Sequence, residues 1–186
     1  MDTTPFYLLL FFHLSFLILG FGSVLVTDLF GLLWMRDHIR FKQIVHISGI
    51  TTYFVWAGWT GMVLTGIPLA LLKGKVDELM IIKLFFVLLI GLNGIVLHLH
   101  QKRLKSFDSE HEVTMHFMFH LGFSLFVSQL AWWGAMLIGF LHRHIWTEIT
   151  WPPHPWLVVG LILLGLFIVW AAGELILKII SRRSAT

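Results

Sequence analysis

Residues 78–101, ELMIIKLFFVLLIGLNGIVLHLHQ, decide the fold class. Apart from Glu78 at its start, the run holds one charged residue, Lys83, and its remainder is dominated by Leu, Ile, Val and Phe. About 20 such residues in a helix cross the hydrocarbon core of a bilayer. Four further apolar runs flank it, at about 5–34, 43–72, 113–141 and 156–180. Each is long enough to cross, and the first and fourth are long enough to tilt. The expectation is an all-α integral membrane bundle of five helices, formed as one domain over residues 1–186. Pro68, the pair Pro152-Pro153 and Pro155 are expected to punctuate helix ends.

Composition points the same way. The 186 residues are 58% hydrophobic and 12% charged, about half the charged fraction of an ordinary soluble domain. The formal charge of +3 comes from basic residues in short loops, and is no footprint of nucleic-acid binding. The absence of cysteine excludes disulfides, thiolate ligands, iron–sulfur clusters and covalently attached haem. No Ser/His/Asp triad, phosphate-binding loop or dinucleotide fingerprint is present, so hydrolase and nucleotidase readings find no support. The segment Met1-Asp2-Thr3-Thr4 lacks a basic n-region, so the first run is expected to stay as a helix and not be cleaved as a signal peptide.

Lys and Arg set the orientation. Arg36, Arg40, Lys42, Lys102, Arg103, Lys105, Lys178, Arg182 and Arg183 fall at one end of the threaded bundle; Lys73, Lys75, Lys83 and Arg143 fall toward the other. The positive-inside rule then places the N-terminus outside and the C-terminus in the cytoplasm, in a membrane of the prokaryotic inner-membrane type.

Within this frame His46, His98, His116 and His120 count to a similar depth near the basic end when measured from the nearest lysine or acidic residue of each helix. Ionisable groups at such depth are costly and mark function. Converging imidazoles hold a metal or a haem iron. The expected cofactor is haem b, with His46 and His116 as axial pair and His98 with His120 as the alternative. The i, i+4 pair His116/His120 also suits a transition metal. The stripe through Ser124, Ser128 and Trp132 is expected to face the bundle interior, as is the small and polar face His46, Gly49, Tyr53, Ala57 and Thr60 on the second helix. His100, beside Lys102 and Arg103, reads as interfacial. Glu174 and Lys178 read as an i, i+4 ion pair, and Asp28 as a candidate for a proton route or a quinone site. The segment His142-Arg143-His144 to Trp156, with Trp146, Trp151 and His154, reads as an interfacial aromatic belt that also offers imidazoles.

At the opposite end His13 and Lys83 lie at comparable depth on the first and third helices. A buried Lys can carry protons or bind an anion, or can snorkel to the interface. His13 followed by Gly20-Phe21-Gly22, together with Lys83-Leu84 opening a Leu/Val-rich helix, resembles the HemJ-type membrane protoporphyrinogen oxidases and the related CopD-type membrane proteins over about residues 9–104. That resemblance implies a functional pair, His13 and Lys83, and a b-type haem. The chain departs from the pattern where Thr27 and Asp28 stand in place of an Arg late in helix one, and in lacking an Asn-Glu-Pro motif in helix four.

These readings point to a haem b membrane redox protein that transfers electrons, with quinone as a candidate substrate. Its other membrane redox subunits or a homo-oligomeric copy would be its partners. A HemJ-like oxidase acting on a porphyrin, and a copper-handling or non-redox accessory subunit, are the alternatives.

Overall fold

The computed structural model describes residues 4–74, 76–107, 109, 112–144 and 154–183. Five helices make up nearly all of it: α1 Thr4–Met35, α2 Phe41–Lys73, α3 Glu78–Lys105, α4 Met115–His144 and α5 Pro155–Arg183. No strand occurs among the described residues. All five are long and apolar enough to cross a membrane. The shortest, α3, has 28 residues and spans about 42 Å at 1.5 Å per residue, more than the roughly 30 Å of a hydrocarbon core.

Local chemistry sets the ends. Pro5 sits in the first turn of α1, where its missing N–H is no loss. The Asp77 carboxylate caps α3 by accepting from the Met80 N–H at 2.9 Å, and Lys102, Arg103 and Lys105 complement its C-terminal dipole. Gly74, at φ 70°, closes α2 by donating to the Ala70 and Leu71 carbonyls. Pro68 does not end α2 as expected but lies within it; the helix runs on until the glycine cap.

α1 and α2 form the most intimate hairpin, and α3 pairs with α4. Gly20 and Gly58 meet face to face: a Cβ on Gly58 would fall on the Gly20 backbone. That close approach is the small-residue packing that apolar helices use where lipid offers no hydrophobic drive. Trp132, fully buried, wedges between the two hairpins, stacked on Phe21 at 5.9 Å. Phe86 lies against Gly134 and Trp59 against Gly91. Two interior polar groups tie helices together: Asn93 Nδ2 donates to the Ser124 carbonyl at 2.8 Å and Trp59 Nε1 to the Val87 carbonyl at 2.9 Å. α5 packs on α3 and α4 with little of its surface covered.

The α4 stripe behaves as expected at Ser124, Ser128 and Trp132, all buried, but not at its start, where His116 is exposed and His120 only half-buried. The α2 face does not. Tyr53 is 78% exposed, and Ala57 and Thr60 are exposed beside it. The buried face instead carries Thr51, Gly58, Gly61 and Met62. The glycines decide the rotation, because only they admit the α1 backbone and the Phe16 ring.

Candidate functional site

Two groups of ionisable side chains stand at opposite ends of the bundle. At the basic end, α4 presents His116 and His120 one turn apart, and α5 brings Glu174 to meet them. His120 Nε2 lies 2.9 Å from Glu174 Oε1, His116 Nε2 lies 3.6 Å from Glu174 Oε2, and the two imidazole Nε2 atoms are 3.3 Å apart. His116 is exposed, while His120 and Glu174 are half-buried. Phe119 fits over Gly173 next to Glu174, where a Cβ would collide with the ring, so the two helices close at this level. Glu174 therefore faces the histidine pair, a role that its i, i+4 relation to Lys178 does not suggest.

The other two histidines of the layer stand apart. The Nδ1 of His98 is buried without a hydrogen-bond partner, while His46 is exposed. Inter-helix register explains the difference. Thr52 bonds Gln101 and Gly94 lies opposite Trp56, which sets His98 level with residue 53 of α2. His46 is then about 10 Å nearer the basic end, seven residues at 1.5 Å each. His100 rests edge-on against Phe117 at 5.4 Å, which puts His98 at the level of Phe119, although two residues from His100 it lies on a different face of α3.

A bis-imidazole haem needs two nitrogens on opposite faces of one macrocycle. His116 and His120 share a face of one helix. His98 and His120 project from helices in direct contact, through Asn93 with Ser124 and His100 with Phe117. None of the four histidines lines either of two cavities in the bundle. His116 and His120, on one helix face, are therefore not the two axial ligands of one haem.

The first of those cavities, about 440 Å³, opens among α1, α2 and α4 and is walled by Leu32, Leu121, Leu125 and Phe126. Its polar residues include Asp28 and Gln129. Gln129 Nε2 donates to Asp28 Oδ2, and Gln129 Oε1 accepts from Trp133 Nε1 at 3.1 Å. Asp28 Oδ1 is buried with no partner. The sequence signal for Gln129 is an uncharged polar side chain inside an apolar run, one turn before Trp133.

The second cavity, about 490 Å³, lies at the opposite end among α1, α2, α3 and α4, and both His13 and Lys83 line it. Its walls are otherwise apolar, with Phe6, Leu10, Leu69, Leu79 and Ile138. His13 Nδ1 lies 3.1 Å from the Met62 carbonyl and 3.0 Å from Thr65 Oγ1. Thr65 spends its own hydroxyl proton on the Gly61 carbonyl at 2.7 Å, so Nδ1 is the donor and Nε2 is left as the basic nitrogen. Two glycines make room for the polar heads. A Cβ on Gly66 would stand 3.3 Å from His13 Cε1, and one on Gly139 would stand 3.4 Å from Lys83 Nζ. The structure thus brings the sequence-derived pair His13/Lys83 to one cavity, from helices 70 residues apart in the chain.

The aromatic and histidine-rich segment after α4, with Trp146, Trp151 and Pro152-Pro153, lies largely outside the described residues; of it, His154 is described and exposed, and Trp156 is 70% exposed. No family model matches the chain, and no curated protein and no solved structure was found to match it.

Proposed function

We propose that this is an integral membrane redox protein whose His13–Lys83 cavity takes up a lipid-soluble quinone. The observation that carries this reading is the cavity itself: about 490 Å³, apolar, and lined by two ionisable side chains. That volume falls in the usual range of small-molecule sites, about 300–1,000 Å³, which are mostly apolar with a few polar groups fixing orientation. Ionisable groups at membrane depth mark substrate and proton pathways. A quinone supplies what the site lacks, a flat apolar ring with two hydrogen-bond-accepting oxygens. The Lys83 ammonium donates to one ring oxygen, and His13, held through Nδ1, relays at Nε2 the proton that accompanies reduction.

With the basic end in the cytoplasm, this cavity belongs to the outer leaflet of a prokaryotic inner membrane. Electrons reach it from a separate membrane redox subunit that carries the redox centre. This reading rests on the His13–Lys83 cavity and assigns no role to haem b.

The test is equilibrium binding of a short-chain quinone analogue to the detergent-purified chain. Saturable binding is expected, weakened about 10- to 100-fold by Lys83→Ala, the scale of a lost charge-assisted hydrogen bond of about 1.5–3 kcal/mol. Absence of saturation, or an unchanged affinity in that variant, defeats the reading.

A second reading rests on the same pair. In a HemJ-like oxidase Lys83 would hold a porphyrin carboxylate and His13 would move the proton. Oxidation of protoporphyrinogen that survives His116→Ala and is lost with Lys83→Ala favours it; no oxidation by the parent chain excludes it.

A further inference from the structure

We propose that His116, His120 and Glu174 form a binding site for a first-row transition-metal ion, in the Zn(II) to Cu(II) class. The site is separate from the quinone cavity, and neither reading depends on the other.

Three ligand atoms, one from each residue, all lie within 4.8 Å of one another. Ligand atoms about 2.0–2.1 Å from a tetrahedral ion are about 3.3–3.4 Å apart. The two imidazole Nε2 atoms are 3.3 Å apart, and the Glu174 carboxylate lies 2.9 Å from His120 Nε2 through Oε1 and 3.6 Å from His116 Nε2 through Oε2, all close to that edge. The donors come from two helices. The α4 backbone spaces the imidazoles at i, i+4, the spacing that puts two side chains over one another. α5 delivers the carboxylate, and Phe119 seated over Gly173 sets its height.

The donor chemistry selects the ion. Two imidazoles and one carboxylate suit Zn, Cu, Ni or Fe, whereas Mg and Ca prefer all-oxygen shells. One carboxylate offsets one of the two positive charges. Three protein ligands leave a fourth position, and the exposure of His116 turns it outward between α4 and α5, so water or an external ligand completes the shell.

The site also has a structural consequence. α5 has little of its surface covered by the rest of the bundle, and an ion bound by α4 and α5 together clamps it. Binding to the folded form alone raises stability by mass action, so the metal is expected to raise the unfolding temperature.

The experiment uses the full chain in detergent, purified without a polyhistidine tag, stripped with chelator and titrated with Co(II). One equivalent is expected, with the visible absorption of four-coordinate Co(II), displaced by Zn(II). Glu174→Gln keeps the side-chain volume, and His120→Ala removes a nitrogen. Each is expected to weaken Co(II) at least about tenfold, the scale that loss of even an outer hydrogen-bond partner produces. Each is also expected to abolish the metal-dependent rise in unfolding temperature, while the helical circular dichroism of the parent is retained. Co(II) binding that is undiminished in Glu174→Gln places the ion elsewhere and overturns the proposal, as does a parent chain that binds no Co(II) saturably.

Discussion

The two ends of the bundle use similar residues in opposite ways. At the basic end His116, His120 and Glu174 close to within 2.9–3.6 Å of one another, and none of them lines a described cavity. At the other end His13 and Lys83 share a cavity of about 490 Å³, and glycines at positions 66 and 139 keep it open. Converging donors with no space between them suit a point charge. Donors that border one largely apolar cavity suit a molecule. The lesson is that depth in a membrane nominates ionisable residues, while the volume between them distinguishes an ion site from a substrate site.

The most damaging change removes both ends together. Gly58→Val drives a branched side chain into the Gly20 backbone, so the α1–α2 hairpin must part. Ordinary overpacking costs about 1–3 kcal/mol; here backbone and not a flexible side chain has to yield, and the cost should exceed that range. Loss of monodisperse protein on size-exclusion chromatography is expected, with both ligands unbound. A well-behaved variant would show that the glycine contact is not what holds the hairpin.

A more selective change separates the ends. Gly139→Leu fills the space beside Lys83 Nζ without removing a polar group. Quinone affinity is expected to fall about tenfold or more, since a filled pocket forfeits the burial of several ring carbons at about 0.8 kcal/mol each. Co(II) titration should be unchanged. Equal quinone binding in this variant would move the molecule out of the cavity.

The smallest effect is expected at His46. Exposed and about two turns from the other histidines, it should tolerate His46→Ala with both titrations within about twofold and stability within about 0.5 kcal/mol. A large loss of Co(II) binding would return it to the site.

The five helices were legible because their apolar runs exceed a bilayer's thickness, a property of single segments. The His13/Lys83 pair was legible because both residues count to similar depth from the same end. What the sequence does not encode locally is rotation and register. α2 is apolar all round, so its buried face was set by which glycines meet α1, and Tyr53 turned outward. His46 was placed by counting from Lys42, as His98 was from Lys102. Lysine stems reach several ångströms to water, so two lysines need not mark one plane, and the Thr52–Gln101 contact shows that these do not. Glu174 pairs with residues more than 50 positions away, a relation that its own helix leaves open.

The most direct measurement is a crossed titration: quinone analogue and Co(II), each added to the parent chain, to Lys83→Ala and to Glu174→Gln. Two independent sites predict a double dissociation, with Lys83→Ala losing the quinone and keeping Co(II), and Glu174→Gln losing Co(II) and keeping the quinone. A single variant that loses both ligands while remaining helical and monodisperse would contradict the division of the bundle into an ion end and a molecule end.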